Sequence, residues 1–286
     1  MSSGCPTDLA RAVSAALLVL LCALPRAGAQ EPAAAAMPAA LRVCAEPDNM
    51  PYSRDDQGGF ENRIARLMAD DLGLPLQYEW LPDRRGFVRK TIGANACDVV
   101  IGVPAGDERL LTTQPYYRSS YVFVQNETGA AAARALRSFD DTRLPALRIG
   151  VQLIGNDLAA TPPGHVLARH DAVRHVVGFT VSGETPAAQR MVEAVARGEL
   201  DAAVIWGPQA GYFAARATPP LRLTPAAAPA DRDLPFAFSM AMGVRKDDGA
   251  MKARLDDFIA RRGADIGRIL DDYAVPRVPL TQREQP

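Results

Sequence analysis

A chain of 286 residues with 48% hydrophobic and 23% charged residues can bury a sizeable core as one large or two modest domains, which excludes a disordered tail. Its formal net charge of -1 supplies no long-range attraction to nucleic acid or to an anionic membrane surface. Lysine occurs only at Lys90, Lys246 and Lys252, a bias toward arginine that reads as base composition and carries no function.

At the N-terminus Arg11 precedes the apolar run Ala12 to Leu24, which ends in Pro25 and Ala27-Gly28-Ala29 before Gln30. This pattern predicts a secretory signal peptide over 1–29. The run is short for a membrane span and no comparable stretch follows, so the chain is not expected to be an integral membrane protein. Cys22 follows Leu21, where a lipidation signal would place a small residue. Residues 30–40, Ala/Pro-rich, read as a flexible linker.

The first strand, from Leu41, breaks at Glu46, Pro47, Asp48, Asn49, Met50 and Pro51. Prolines flanking an Asp-Asn pair predict an irregular loop, neither helix nor sheet, with free backbone donors and side chains. Phe60, Ile64, Leu67, Met68 and Leu72 then fall at helical spacing before Gly73. "LQYEW" reads as a short strand, "DRRGF" as the turn into a second helix with Phe87, Val88 and Ile92, and "CDVVIGVP" as a buried strand. Strand, helix, strand, helix, strand predicts a parallel sheet with ligands beyond the C-terminal strand ends.

"YYRSSYVFVQN" gives a further strand. "LRIGVQLIGND" repeats the opening theme, followed by the helix "PAAQRMVEAVARGEL" and the strand "DAAVIWGP". "TPPLRLTPAAAPADRDLP" is too proline-rich for regular structure, and "FAFSMAMGVRKD" resumes as a strand with two helices after it. The expected layout is lobe 1 over 41–124, a hinge over 125–145, lobe 2 over 146–223, a second hinge over 224–235, a return to lobe 1 over 236–275 and a tail over 276–286. Two such crossings allow hinge closure around a cleft.

With the signal removed, Cys44 and Cys97 remain in a compartment that permits disulfides. A bridge is the obvious pairing, yet on parallel neighbouring strands the offset of several residues at about 3.3 Å each exceeds a disulfide reach of roughly 7 Å. Bridge and buried thiols both stay open. His165, His170 and His175, at five-residue intervals in a loop and strand region, have no metal-ligand spacing, and no metal or cofactor is expected.

The cleft candidates in lobe 1 are Glu46, Asn49, Tyr52, Glu61, Arg84, Arg85, Gly102, Pro104, Tyr116 and Arg118, a polar rim with aromatic walls. Lobe 2 adds Asn156, Trp206 and Tyr212. Solvated loop charges are an equal reading for Glu61, Arg84 and Arg85, and ordinary packing for the tyrosines. There is no phosphate loop, serine elbow or histidine beside a nucleophile, so a binding protein is the simpler reading.

In order along the chain, "LRV…PY", "GFE", "CDVVIG" and "PYY" resemble the first lobe of type II periplasmic solute-binding proteins. More narrowly, "RVCAEPDNMPYS", "RRGFVRKTI", "CDVVIGVPAG", "LTTQPYYRSSYVFV", "RIGVQLIGND" and "WGPQAGYF" resemble the J proteins of the MxaJ and XoxJ type encoded with quinoprotein methanol dehydrogenases. The resemblance covers roughly residues 41–275. It implies an α/β two-lobe fold with a mixed, mostly parallel sheet in each lobe, and a periplasmic, non-enzymatic accessory protein. The implied partner is a methanol or related alcohol dehydrogenase that uses pyrroloquinoline quinone with calcium or a lanthanide, served in assembly or activation. Arg109 stands near the arginine that holds the ligand carboxylate in amino-acid receptors, but its spacing to Pro115-Tyr116-Tyr117 is shorter, and the role is not carried over. The rivals are the substrate-binding subunit of an ABC importer for a small polar solute such as an amino acid, and an enzyme on the same scaffold using Glu46 or Glu61.

Overall fold

Alternating apolar residues in the first strand set up the sheet of lobe 1. The structure, a computed structural model, describes residues 38–82, 86–127, 134–154, 159–169, 175–180, 185–227 and 234–280. The expected signal peptide, most of the 30–40 linker and the end of the tail lie outside the described residues.

Lobe 1 begins with β1 (Leu41–Ala45), the two-residue strands β2 (Asp48–Asn49) and β3 (Ser53–Arg54), helix α1 (Phe60–Leu72) and β4 (Leu76–Trp80). A single turn α2 (Phe87–Lys90), β5 (Val99–Pro104), the short β6 (Leu111–Thr112) and the long β7 (Tyr117–Asn126) follow. Lobe 2 holds β8 (Ile149–Ile154), β9 (Ala159–Ala160), α3 (Pro162–Arg169), β10 (Val176–Thr180), α4 (Ala187–Ala196), β11 (Ala202–Trp206), α5 (Gly207–Ala214) and β12 (Leu221–Pro225). The chain returns through β13 (Ala237–Val244) and ends its regular structure in α6 (Gly249–Asp272).

The strands form one path in the order β10-β8-β11-β7-β13-β5-β1-β4. β1 is parallel to both β4 and β5, and β8 to both β10 and β11, while β7 and β13 run antiparallel between the two parallel groups. β7 is shared: Tyr117–Ser120 pair with β13, and residues from Tyr121 on pair with β11 and β12. β12 and β13 lie in turn along β7, since Pro225 faces Val122 and Ala237 faces Ser120. The crossing between lobes thus begins inside β7, ahead of the stretch at 125.

Side-chain alternation gives each lobe two cores, one on each sheet face. In lobe 1 Leu41, Val43, Val99, Ile101 and Met242 face α1 and α6, whereas Cys44, Val100 and Val103 face Phe87 and Ile92. In lobe 2 Val122, Val124, Ala203 and Ile205 pack on α4 and α5, and Phe123, Ile149, Val151 and Val204 pack on the opposite side. Each fully buried Leu, Ile, Phe or Met contributes about 1.5–3 kcal/mol.

Three expectations are corrected. The opening loop is not free of sheet: Asp48 pairs with Arg54 and Asn49 with Ser53, and the Met50-Pro51 peptide is cis. Its backbone is also engaged, because Pro51 and Tyr52 carbonyls accept the Phe60 and Glu61 N–H groups at 2.9 Å each. The loop therefore supplies partners for the first turn of α1, whose donors have none within the helix. The proline-rich stretch after α5 contains β12, since its prolines stand before the strand and at its last residue, positions an edge strand tolerates.

The third correction concerns the end of the chain, where a single 24-residue α6 replaces the two expected helices. An exposed Gly in a helix costs only about 1 kcal/mol. Across Gly263 the apolar stripe runs on unbroken from Met251, Leu255, Phe258 and Ile259 to Ile266, Ile269 and Leu270. Arg261 and Arg262, just before Gly263, both reach Asp71 of α1, whose side chain is 8% exposed, at 2.7 and 3.1 Å.

Cys44 and Cys97 are joined in a disulfide, with Cα atoms 5.5 Å apart. The strand-offset argument fails because Cys97 lies before β5, and the chain there has left the line of the strand after Asn95, which sits in the left-handed region (φ 58°). Cys97 thus folds over the face on which Cys44 points, and both are buried among Phe87, Ile92 and Val100. With the cysteines 53 positions apart, the loop-entropy account gives about 4 kcal/mol of stabilisation. Replacing both by serine is expected to lower the unfolding free energy by about 2–5 kcal/mol in urea titrations; an unchanged midpoint would show that the bridge does not form in the exported protein.

Candidate functional site

The C-terminal ends of β1 and β5 and the end of β11 converge where the lobes meet. Two glycines shape this place. Gly59 sits so close to the Tyr52 carbonyl that any Cβ would overlap it, which lets the 46–54 loop press onto α1. Gly102, with φ 78°, lies directly under the Glu61 carboxylate, so only a residue without a side chain leaves room for that group over β5. Asn62 accepts the N–H groups of Gly59 and Arg54 at 3.1 and 3.0 Å, tying the loop to the helix from the other side.

Around Glu61 stand aromatic rings from both lobes. Tyr52 meets Phe60 at 5.3 Å, Phe60 meets Tyr117 at 6.3 Å, and Tyr116 meets Tyr117 at 5.0 Å between ring centroids. From lobe 2, Trp206 packs edge-on to Tyr121 at 5.5 Å and to Phe238 at 5.6 Å. Tyr212 of α5 stacks on Tyr273 at 5.8 Å, and Tyr273 in turn meets Phe60 at 5.9 Å. Arg216 lies 3.6 Å above the Tyr212 ring, within cation–π distance. These rings form two sets, joined where the Tyr52 hydroxyl meets the Trp206 indole, and together they make an aromatic seam between the lobes.

Burial raises the Tyr52 hydroxyl well above the ordinary tyrosine range, with Tyr117, Glu61 and Tyr121 adding to the effect and the Trp206 indole opposing it. Tyr116 is raised well above that range by burial first and then by Glu61 and Tyr52. Its hydroxyl lies by the Gly102 backbone without completing a hydrogen bond. Tyr117 is likewise raised, by burial, Tyr116 and Glu61, and Tyr121 is pushed up to about 12 by burial. At neutral pH these phenols stay protonated, so they serve as hydrogen-bonding groups and not as bases or nucleophiles. The Tyr117 hydroxyl and the Asn62 amide nitrogen are buried with no hydrogen-bond partner among the described residues.

A strap at the C-terminus closes the seam. After α6 the chain passes Ala274 to Val278, where the Ser119 hydroxyl donates to the Pro276 carbonyl at 2.6 Å and Val278 N–H donates to the Arg118 carbonyl at 2.9 Å. Helix α5 of lobe 2 lies against this strap through Gly207 and Gly211, one turn apart. A Cβ at Gly211 would overlap the Ala274 carbonyl, and one at Gly207 the Ser119 hydroxyl. The strap thus leaves lobe 1, bonds to the shared β7 and fills the notch in α5.

The expected site residues fall as follows. Tyr52, Glu61, Gly102, Tyr116 and Trp206 come together at the seam, and Tyr212 joins it through Tyr273. Glu46 and Asn49 are half-buried in the loop beside it, the Glu46 carbonyl accepting from the Ser53 hydroxyl at 2.8 Å. Pro104 is exposed at the end of β5, and Arg118 on β7 donates to the Ser239 hydroxyl at 3.1 Å. Arg84, Arg85, Asn156 and His170 lie outside the described residues. His165 is on α3, not in the loop-and-strand setting expected for all three, whereas His175 stands just before β10. Sequence reasoning missed Phe60, Tyr117, Tyr121, Phe238 and Tyr273. The doubled tyrosine after Pro115 was the visible signal for Tyr117, while Tyr273 lies far along the chain from its ring partners Phe60 and Tyr212 and has no local mark. Among the described residues no group of three His, Cys, Asp or Glu side chains is placed to hold a metal ion.

A sheet shared by two α/β lobes, with aromatic side chains of both meeting at the strand ends, defines a two-lobed periplasmic binding protein of type II. Residues 41–275 match the bacterial extracellular solute-binding proteins, family 3. Protein MoxJ of Methylorubrum extorquens is 34% identical over 290 residues, covering 94% of this chain and 95% of that protein. The crystal structure of periplasmic binding protein XoxJ from Methylobacterium extorquens AM1 is 34% identical with a TM-score of 0.68, over 84% of this chain and 100% of that one. MxaJ from Methlophaga aminisulfidivorans MPT is 27% identical with a TM-score of 0.72, over 83% and 100%. The chain belongs to the bacterial extracellular solute-binding proteins of family 3 and, within them, to the MxaJ/XoxJ type.

Two predictions follow from the seam and the strap. Gly211→Ala must displace the strap and is expected to destabilise by about 1–3 kcal/mol, as overpacking does. Gly263→Ala, in an open helical position, should instead stabilise by up to about 1 kcal/mol. Equal melting temperatures for the two variants would show that the strap does not press on α5. The tyrosines give the second. The folded chain holds their protons more tightly than the unfolded chain, which releases them near pH 10. The stability they contribute is whole below about pH 10 and is lost as pH rises through the folded values. Tyrosinate absorbance near 295 nm should therefore climb together with unfolding; ionisation of most tyrosines near pH 10 in a still-folded chain would contradict the buried seam.

Proposed function

We propose that this chain is a periplasmic accessory protein of an alcohol dehydrogenase that uses pyrroloquinoline quinone, acting in its assembly or activation by binding and without catalysis. The observation that carries this reading is the pairing of whole-length similarity to MoxJ with a cleft occupied by its own side chains. A receptor that delivers small solutes must open and shut. Here the seam and the strap hold α5 and Trp206 against lobe 1, an arrangement suited to presenting a fixed surface. No helix of the described residues is long and apolar enough to cross a membrane, which agrees with an exported chain that meets its partner in the periplasm.

One observation favours a second reading, a receptor for a small polar solute such as an amino acid. The unpaired Tyr117 hydroxyl and Asn62 amide are groups that a ligand could satisfy. The two readings separate in one strain. Deleting the gene should abolish dehydrogenase activity measured with added quinone cofactor, and the wild-type gene should restore it. Asn49→Ala with Arg85→Ala, changes in the opening loop and in the "RRGF" segment, should fail to restore activity while shifting stability by less than about 0.5 kcal/mol. Full dehydrogenase activity in the deletion strain, together with a melting temperature raised by an amino acid, would replace the accessory reading with the receptor.

A further inference from the structure

Away from the seam, lobe 1 carries a cavity of about 640 Å³, within the range of small-ligand sites. Val88 and Ile92 line it with apolar surface, and Arg89, Arg109, Arg245 and Lys246 surround it with positive charge. Arg245 follows the last residue of β13, and Val244 pairs with Leu111 of β6, while Gly243 pairs with Val100 near the start of β5. The cavity therefore lies toward the end of the sheet opposite Ala45 and Pro104.

Two of the four cations, Arg109 and Arg245, are held in front of their counter-charges. Asp107 holds Arg109 through two bonds, at 2.9 and 2.6 Å, yet its side chain is 10% exposed while that of Arg109 is 69% exposed. Arg245 bonds to Asp248 at 2.9 Å and to the Cys97 carbonyl at 3.0 Å, and lies 3.5 Å from Asp98, which is 5% exposed. Arg89 and Lys246 are exposed and form no ion pair among the described residues. Asp247 is the carboxylate in the wall itself. A molecule entering the cavity thus meets four cationic groups and the single exposed carboxylate of Asp247, while Asp98 and Asp107 lie behind the cations. The wall is also held in shape: the Cys44–Cys97 bridge stands behind it, and Ile92 is buried against both cysteines.

We propose that this cavity is a binding site for a small di- or tricarboxylate, its carboxylates taken by Arg89, Lys246 and the braced Arg109 and Arg245, and its carbon frame set on Val88 and Ile92. Guanidinium groups fixed by a partner lose little freedom on meeting a carboxylate, which favours planar, multidentate capture. Nothing in this site depends on the aromatic seam or on the dehydrogenase reading.

Calorimetric titration of the exported chain with citrate tests it, with acetate and sulfate as controls. Saturable 1:1 binding of citrate is expected, weakened about tenfold by Arg89→Gln or by Lys246→Gln, since a hydrogen bond to a charged group is worth about 1.5–3 kcal/mol. Both residues are exposed, so the melting temperature of each variant should match the wild type. Trp206→Phe at the seam should leave citrate binding unchanged. Absence of saturable citrate binding overturns the proposal, as does sulfate or acetate binding as tightly as citrate. Citrate binding that persists in the Arg89→Gln, Lys246→Gln double variant, or that falls with Trp206→Phe, overturns it as well.

Discussion

Strand β7 belongs to both lobes, and the geometry of the molecule depends on that sharing. Its first four residues bond to β13 and the rest to β11 and β12, so one extended segment sets the register of two otherwise separate parallel groups. Because side chains alternate along a strand, this also decides which residues face the junction. Tyr121 lies beside Trp206 in register, and Phe238 beside Ser119, which brings the rings of β7, β11 and β13 into one seam. A one-residue slip in β7 would turn Tyr121 away and place Val122, part of the α4–α5 core, at the junction. The seam is in this sense a consequence of sheet register, with the C-terminal strap closing it by bonding to β7 at Arg118 and Ser119.

What the sequence showed well is what short-range patterns encode. Alternating and helical spacing placed β1, α1, β4, β5, α4, β11 and β13 close to their observed bounds, and the strand-end loops led to Tyr52, Glu61, Gly102, Tyr116 and Trp206. Contacts between distant segments were not legible. Nothing near Tyr273 marks it as a partner of Tyr212 and Phe60, because the pairing exists only once α6 has docked on α1. The disulfide was obscured for the same reason: a strand-based offset could not anticipate that Asn95 turns the chain off the strand line before Cys97. In α6 the segment was read as two helices, and the continuous buried stripe, with Asp71 beneath the arginines, makes it one. β12 was hidden by its prolines, which matter in a central strand and much less at an edge.

The paired arginine and aspartate side chains follow a common plan in lobe 1. Asp98 is buried and receives Arg42, whose guanidinium is raised further above its already high range by that bond. The Arg42 N–H also donates to Asp98 at 3.2 Å, so the carboxylate is satisfied by backbone as well as side chain. Arg245 approaches the same carboxylate from β13. A carboxylate shared in this way fixes the start of β5 against β1 and against the end of β13, and with it the segment that carries the disulfide. Removing Asp98 would leave two guanidinium groups beside each other without the acceptor between them, a larger loss than that of an exposed pair.

The two ends of the lobe 1 sheet consequently differ in the kind of surface they offer. At the Gly102 end burial keeps the phenols neutral, and contact there gains chiefly from removing aromatic area from water, which salt does little to weaken. At the Asp98 end the exposed groups are charged, and attraction there falls as ionic strength rises. One strand of six residues, β5, joins these ends, and its interior residues Val99 to Val103 are packed on both faces, leaving no room for a side chain to relay motion from one to the other. The disulfide and the shared Asp98 carboxylate hold the cationic end, and ring contacts with α1 and β7 hold the aromatic end, so each surface is shaped by its own set of bonds.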